Sequence, residues 1–181
     1  SEIEIELAQG KPEALFDLAL ALAADLPLQP EIRSKAERGY RLRLGTPLKP
    51  VKAAPSPLRP SQTPPQAFRA IAVDCIAQLQ WNALGADEAD PEFVHQMRVA
   101  LRRLRVALDA FRNLLDSDLH DDINDRARQY FRVLGRVRDL DVMAENPATR
   151  HLSDQIQKEA TNELKHARRR LKKTRAASFA D

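Results

Sequence analysis

Between Phe93 and Leu115, FVHQMRVALRRLRVALDAFRNLL, apolar residues recur at helical spacing. At 100° per residue, Phe93, Met97, Leu101, Leu104, Leu108, Phe111 and Leu115 fall on one face, the pattern of a helix packed on a core. Asp90 is the expected N-cap, with Pro91 and Glu92 where a first turn tolerates proline and favours a carboxylate. Three neighbouring segments carry the same period. From Gln66 to Leu84 it places Phe68, Ile71, Ala72, Cys75, Ile76, Leu79 and Trp81 mostly along one side, and Gly85 is a natural stop. From about Asp118 to Met143 it turns Ile123, Ala127, Tyr130, Leu134 and Val137 inward, puts Arg128, Arg132 and Arg136 on the opposite side, and leaves Arg138 at the edge of the core face. A fourth pattern begins near Thr149 and runs through Ile156, Leu164, Ala167 and Leu171. Short connections between amphipathic helices predict an antiparallel bundle.

The amino-terminal pattern is different. Glu2 to Leu7 alternates strictly, predicting a strand with Glu2, Glu4 and Glu6 on one face and Ile3, Ile5 and Leu7 on the other. Two readings of the carboxylate face stay open: a solvated edge strand guarded by its charges, or a face for a divalent metal. Pro12 opens a helix through Leu15, Phe16, Leu18, Ala19 and Leu22 that closes before Pro27, and the basic Ser34 to Leu42 reads as extended. One strand, one helix and a basic segment cannot stand alone, so this piece is expected to belong to a longer protein. Between Pro47 and Pro65 lie seven of the twelve prolines and no acid, which reads as an extended linker. The expected domains are thus residues 1–46, a linker at 47–65, and a helical bundle at 66–181.

Composition adds bounds. A chain of 181 residues with 43% hydrophobic positions can build a core. Its net charge is only +3, but seven Lys or Arg and no acid lie between Lys165 and Arg175, so the field is local. The single cysteine, Cys75, excludes an internal disulfide and fits a reducing compartment. No stretch approaches the roughly 20 apolar residues of a membrane span, no signal peptide is read, and a cytoplasmic protein is expected.

Charge placement carries the candidate chemistry. His95, Arg98, Arg102, Arg105 and Arg112 form a stripe beside the apolar face of the Phe93 to Leu115 helix. A solvated flank whose stems cover apolar surface is one explanation. The bases, however, are almost all arginine, the donor suited to bidentate phosphate contacts, and only Asp109 interrupts them. The stripe is therefore read as a polyanion contact surface. Lys165, Arg168, Lys172 and Arg175 lie near one face of the last helical pattern and are further candidates from spacing. His120 and His151 fall near helix ends, as caps or solvent-exposed groups, and His166 falls within the basic run. His95 is followed by arginines and not by a ligand four residues on, so zinc is not expected there. No nucleophilic triad, Gly-rich phosphate loop or catalytic acid pair stands out, and binding without chemistry is expected of residues 66–181. The same arginines would serve nucleic-acid binding, but aromatics are only 5% and none interleaves with the stripe as a stacking platform.

Two resemblances join these residues to known families. VHQMRVALRRLRVALDAF at Val94 to Phe111, followed by LGRVRDLDV at Leu134 to Val142, is similar to the amino-terminal half of the CHAD family, the conserved histidine α-helical domain. The resemblance implies two pseudo-symmetric bundles around a basic pore, and binding of inorganic polyphosphate. Under it His95 is the family's histidine, Arg98, Arg102, Arg103 and Arg105 are the basic positions that follow, and Arg138 and Asp139 are its RD pair. His95, Arg98, Arg102, Arg105 and Arg138 are expected to contact phosphate. Arg103 lies on the far side of the helix, and Asp139 is expected to orient an arginine. The second bundle is missing from the sequence, so the other wall of the pore is expected from absent sequence or from self-association.

EIEIEL, a helix, then RSKAERGYRL, over residues 1–44, resembles the carboxy-terminal end of a CYTH domain, the triphosphate tunnel fold of inorganic triphosphatases and thiamine triphosphatase. This implies Glu4 and Glu6, with Glu2 beside them, as ligands of Mg²⁺ or Mn²⁺, and Lys35 and Arg38 on a basic strand that holds triphosphate. The family's ExExK strand is absent, so hydrolysis is expected only of an intact parent. The expected fold is mainly α: an antiparallel, CHAD-like helical bundle preceded by a strand–helix remnant of a β-tunnel domain.

Overall fold

The computed structural model describes residues 2–148 apart from 27, 29, 30, 56, 57 and 87–89. The described chain runs through α1 (Glu13–Asp25), α2 (Lys35–Leu44), α3 (Pro64–Leu84), α4 (Glu92–Ala110) and α5 (Ser117–Glu145), with a 3₁₀ turn at Arg112–Leu114 between the last two. The fourth predicted helix, with Lys165, Arg168, Lys172, Arg175, His151 and His166, lies outside the described residues.

Local chemistry sets the helix ends. Thr63 N–H donates to Gln66 Oε1 at 2.9 Å and Pro64 occupies the first helical position of α3. Pro91 is the N-cap of α4, and the Asp90 carboxylate accepts from Glu92 N–H at 2.9 Å. Asp116 Oδ1 accepts from the N–H groups of Asp118 and Leu119 and so starts α5. The α4 pattern was expected to run to Leu115, but α4 ends at Ala110 and the chain tightens into the 3₁₀ turn before reversing.

Helix α4 is the centre of the packing. Its Phe93, Val94, Met97, Leu101, Leu104 and Leu108 are buried, each worth about 1.5–3 kcal/mol for a side chain of that size. Val94, Met97 and Leu101 cluster with Leu134, Val137 and Ala127 of α5 and with Ala83 of α3. Leu104 and Leu108 cluster with Cys75, while Phe68, Ile71 and Ala72 of α3 and Ile123 of α5 pack around them. Contacts between α4 and α3 run from Phe111 on Phe68, through Arg103 on Asp74, to Phe93 over Gly85. Those between α4 and α5 run from Asp109 near His120, through Arg105 on Asn124, to Arg98 on Phe131. Both pairs are therefore antiparallel. A Cβ at Gly85 would lie 2.3 Å from the buried Phe93 ring, so glycine is required there by space.

Three expectations are corrected. Residues 2–7 form no strand. Alternation gives a strand two faces, but its N–H and C=O groups still need a neighbouring ladder. Ser34 to Leu42 is not extended: Lys35–Leu44 is helix, capped by Ser34 Oγ accepting from Glu37 N–H at 3.1 Å and closed by Gly45 at φ 60°. Ile76, expected on the inner side of α3, is exposed, while the polar Gln78 and Asn82 are buried.

Those two amides hold the proline-rich segment. Asn82 Nδ2 donates to Val51 O at 2.9 Å and Asn82 Oδ1 accepts from Val51 N–H at 3.0 Å. Trp81 Nε1 donates to Lys49 O at 3.0 Å, and Arg103 Nη2 donates to Ala54 O at 3.1 Å. Residues 49–54 thus form a strap along α3, with Lys49 O, both main-chain groups of Val51 and Ala54 O satisfied by side chains in place of secondary structure. Neither α1 nor α2 has a buried residue, and Phe16, Leu42 and Leu44 are exposed. The core belongs to α3, α4 and α5.

Candidate anion-binding site

An α-helix between two neighbours has two packed faces and flanks between them. On the flank of α4 toward α5 the sequence puts His95, Arg98, Arg102 and Arg105. From Arg98 to Arg105 the helix rises about 10 Å. Arg102 is exposed, and His95, Arg98 and Arg105 are partly buried. The Arg98 guanidinium carbon lies 4.7 Å from the centroid of the Phe131 ring, a cation–π stack. Arg105 Nε donates to Asn124 Oδ1 at 3.2 Å, a neutral acceptor that positions the charge without cancelling it. The antiparallel register that sets Arg98 against Phe131 and Gly135 brings Arg138, one turn beyond Gly135, level with His95. Arg138 is partly buried, as its place at the edge of the core face predicts, and Asp139 is exposed.

Among the described residues, none of His95, Arg98, Arg102 and Arg105 has a carboxylate within ion-pair distance. Arg112, farther along, has an exposed and loose partner: its Nη2 is 3.9 Å from Asp121 Oδ1. Arg103 is the contrast. On the other side of α4 its Nη2 meets Asp74 Oδ2 at 2.7 Å, Nη1 donates to Gln78 Oε1 at 2.9 Å, and the strap carbonyl of Ala54 takes a further bond. Of the basic positions that the CHAD resemblance marks on α4, Arg103 is the one set apart from the stripe and engaged in holding α3 and the strap.

His120 was expected as a cap or at the surface, and is instead buried in the first turns of α5. Its Nδ1 lies 2.8 Å from Asp121 Oδ1, and that bond holds the Asp121 carboxyl below its ordinary range. Its Nε2 has no hydrogen-bond partner, the nearest carboxylate oxygen being Asp109 Oδ1 at 3.7 Å. The Cys75 thiol is pushed above its ordinary range by burial, as befits a structural sulfur.

The amino-terminal candidates come together with one another. Lys35 Nζ pairs with Glu4, and Arg38 Nη2 lies 2.8 Å from both oxygens of Glu2. These bonds raise Lys35 above and lower Glu2 below their ordinary values. Lys35 and Arg38 lie on α2 and not on a strand, and Glu6 is exposed. Among the described residues no three metal-ligating side chains cluster. With Glu4 already matched by a lysine, the residues present do not fit Mg²⁺ or Mn²⁺.

The residues that sequence reasoning passed over are on α5. Asn124 holds Arg105, while Phe131 and Gly135 contact Arg98. A signal for one of them was present: a lone glycine inside a helical pattern marks close approach by a neighbour. No helix among the described residues is long and apolar enough to cross a membrane.

Neither the curated proteins nor the solved structures give a significant match to this chain. Residues 70–181, more than half of the chain and including α4 with its arginine stripe, match the CHAD domain family, and the chain belongs to that family.

Proposed function

We propose that the chain binds inorganic polyphosphate along the flank of α4, with His95, Arg98, Arg102 and Arg105, joined by Arg138 of α5, as the phosphate contacts. The observation that carries this reading is the division of labour on one helix. Arg103 is neutralised by Asp74, whereas His95, Arg98, Arg102 and Arg105 have no acidic partner among the described residues. Binding is electrostatic and involves no covalent step. Each arginine displaces condensed counterions, so log K falls with log salt by about 0.7–0.9 per phosphate contact, on the scale set by nucleic acids. Lys165, Arg168, Lys172 and Arg175 are proposed as further phosphate contacts from their spacing in the sequence.

The same charge would attract single-stranded nucleic acid, but the aromatic ring beside the stripe, Phe131, has one face taken by Arg98 and packs against the core, which makes it a poor stacking platform for a base. The experiment is competition between long-chain polyphosphate and single-stranded RNA of matched charge, for wild type and Arg98→Ala/Arg102→Ala. Polyphosphate should win by tenfold or more, about 1.4 kcal/mol, and the double variant should lose that margin. Equal competition by RNA overturns the reading. For residues 1–46 the proposal is a remnant of a metal-dependent triphosphatase active only in an intact parent. It is tested by phosphate release from triphosphate with Mg²⁺: this chain should show none, while a parent chain that carries the ExExK strand should be active.

A further inference from the structure

Gly135 lies in the interior of α5, where glycine lowers helix stability relative to alanine. Its φ is not positive and it ends no helix, so its backbone freedom is not what is used. What is used is the space. A Cβ at Gly135 would lie 2.9 Å from Arg98 Nη1 and 4.0 Å from Arg98 Cζ. One turn earlier on α5 the Phe131 ring stacks with the same guanidinium. Ring and glycine together make a seat on α5 for a side chain of α4.

We propose that Phe131 and Gly135 are positioning residues that fix Arg98 for contact with a phosphate, an inference that rests on the polyphosphate reading above. A guanidinium donates its hydrogen bonds in its own plane, so stacking on one face leaves donors free at the edge. An arginine already held in one rotamer also loses less freedom when the anion arrives. Arg102 is exposed and has no such seat, so it must be ordered on binding. Arg98 therefore contributes more to affinity than Arg102 although both carry one charge.

The test is titration of the full chain with long-chain inorganic polyphosphate at several salt concentrations, with a melting temperature for each variant. The variants are Arg98→Ala, Arg102→Ala, Gly135→Ala, Phe131→Leu and Arg98→Ala/Gly135→Ala. Gly135→Ala improves helix propensity and displaces only the tip of a flexible side chain. It should keep or raise the melting temperature while weakening binding by about two- to tenfold. Those opposite signs are not what a purely structural role produces. In the Arg98→Ala background Gly135→Ala should cost nothing further, because the residue it acts through is gone. Phe131→Leu keeps an apolar side chain and should weaken binding in the same sense. If Arg98→Ala weakens binding but Gly135→Ala does not, or weakens it equally in both backgrounds, the seat is overturned and the polyphosphate reading survives. No wild-type binding, or binding indifferent to both Arg98→Ala and Arg102→Ala, overturns the polyphosphate reading and this inference with it.

Discussion

Arg103→Ala removes an ion pair to Asp74 and hydrogen bonds to Gln78 and to the strap at Ala54, all on the side of α4 away from the stripe. It should lower unfolding free energy by about 1–3 kcal/mol in denaturant titration, and leave polyphosphate affinity within about twofold, since its guanidinium is engaged by Asp74, Gln78 and the strap carbonyl and not turned to the stripe. A large loss of affinity with little loss of stability would return Arg103 to the site. The rotation of Arg103 away from Arg98, Arg102 and Arg105 was legible from 100° per residue. Its partner was not, because Asp74 is 29 positions away and only the α3–α4 pairing brings it near. His120 makes the same point in reverse. Nearness to a helix start predicted a cap or a solvent-exposed group, and the packing of α4 against α5 buried it.

At the scale of an element, the strap shows where composition reads correctly and stops short. Seven prolines predicted a linker without regular structure from 47 to 65; residues 46–55 have none, whereas Pro64 and Pro65 begin α3. Composition does not reveal that the buried Asn82 side chain meets both the N–H and the C=O of Val51. Asn82→Ala should cost about 1–3 kcal/mol and should speed limited tryptic cleavage after Lys52, the docked basic residue not followed by proline. Unchanged cleavage would mean that the strap is held elsewhere. Helix α2 failed for a different reason. Ser34 followed three positions later by Glu37, and Gly45 past the end, are helix start and stop signals, but a polar, arginine-rich stretch with little apolar periodicity drew the extended reading. The alternation at Glu2 to Leu7 was read as a strand because period two is a sound signal. A strand is nonetheless a property of two chain segments, and here the glutamates meet α2 instead.

For the whole molecule, stability is uneven. Both apolar clusters lie among α3, α4 and α5, whereas α1 and α2 bury nothing fully. Amide hydrogen exchange should therefore be slowest in α4, which contacts both neighbours, and faster by orders of magnitude in α1 and α2. Equal protection across the five helices would contradict this distribution of the core. By itself the sequence determined what local pattern can determine: four helices, α1, α3, α4 and α5, in the right places, the inward faces of α4 and α5, and an arginine stripe on one flank, because side chains 100° apart per residue sort onto faces whatever lies opposite. Tertiary structure alone decided which of those charges are neutralised, which ring and which glycine receive Arg98, and that the linker lies docked on α3. Each of these depends on residues 20 to 50 positions apart meeting across packed segments, and no local pattern encodes that distance.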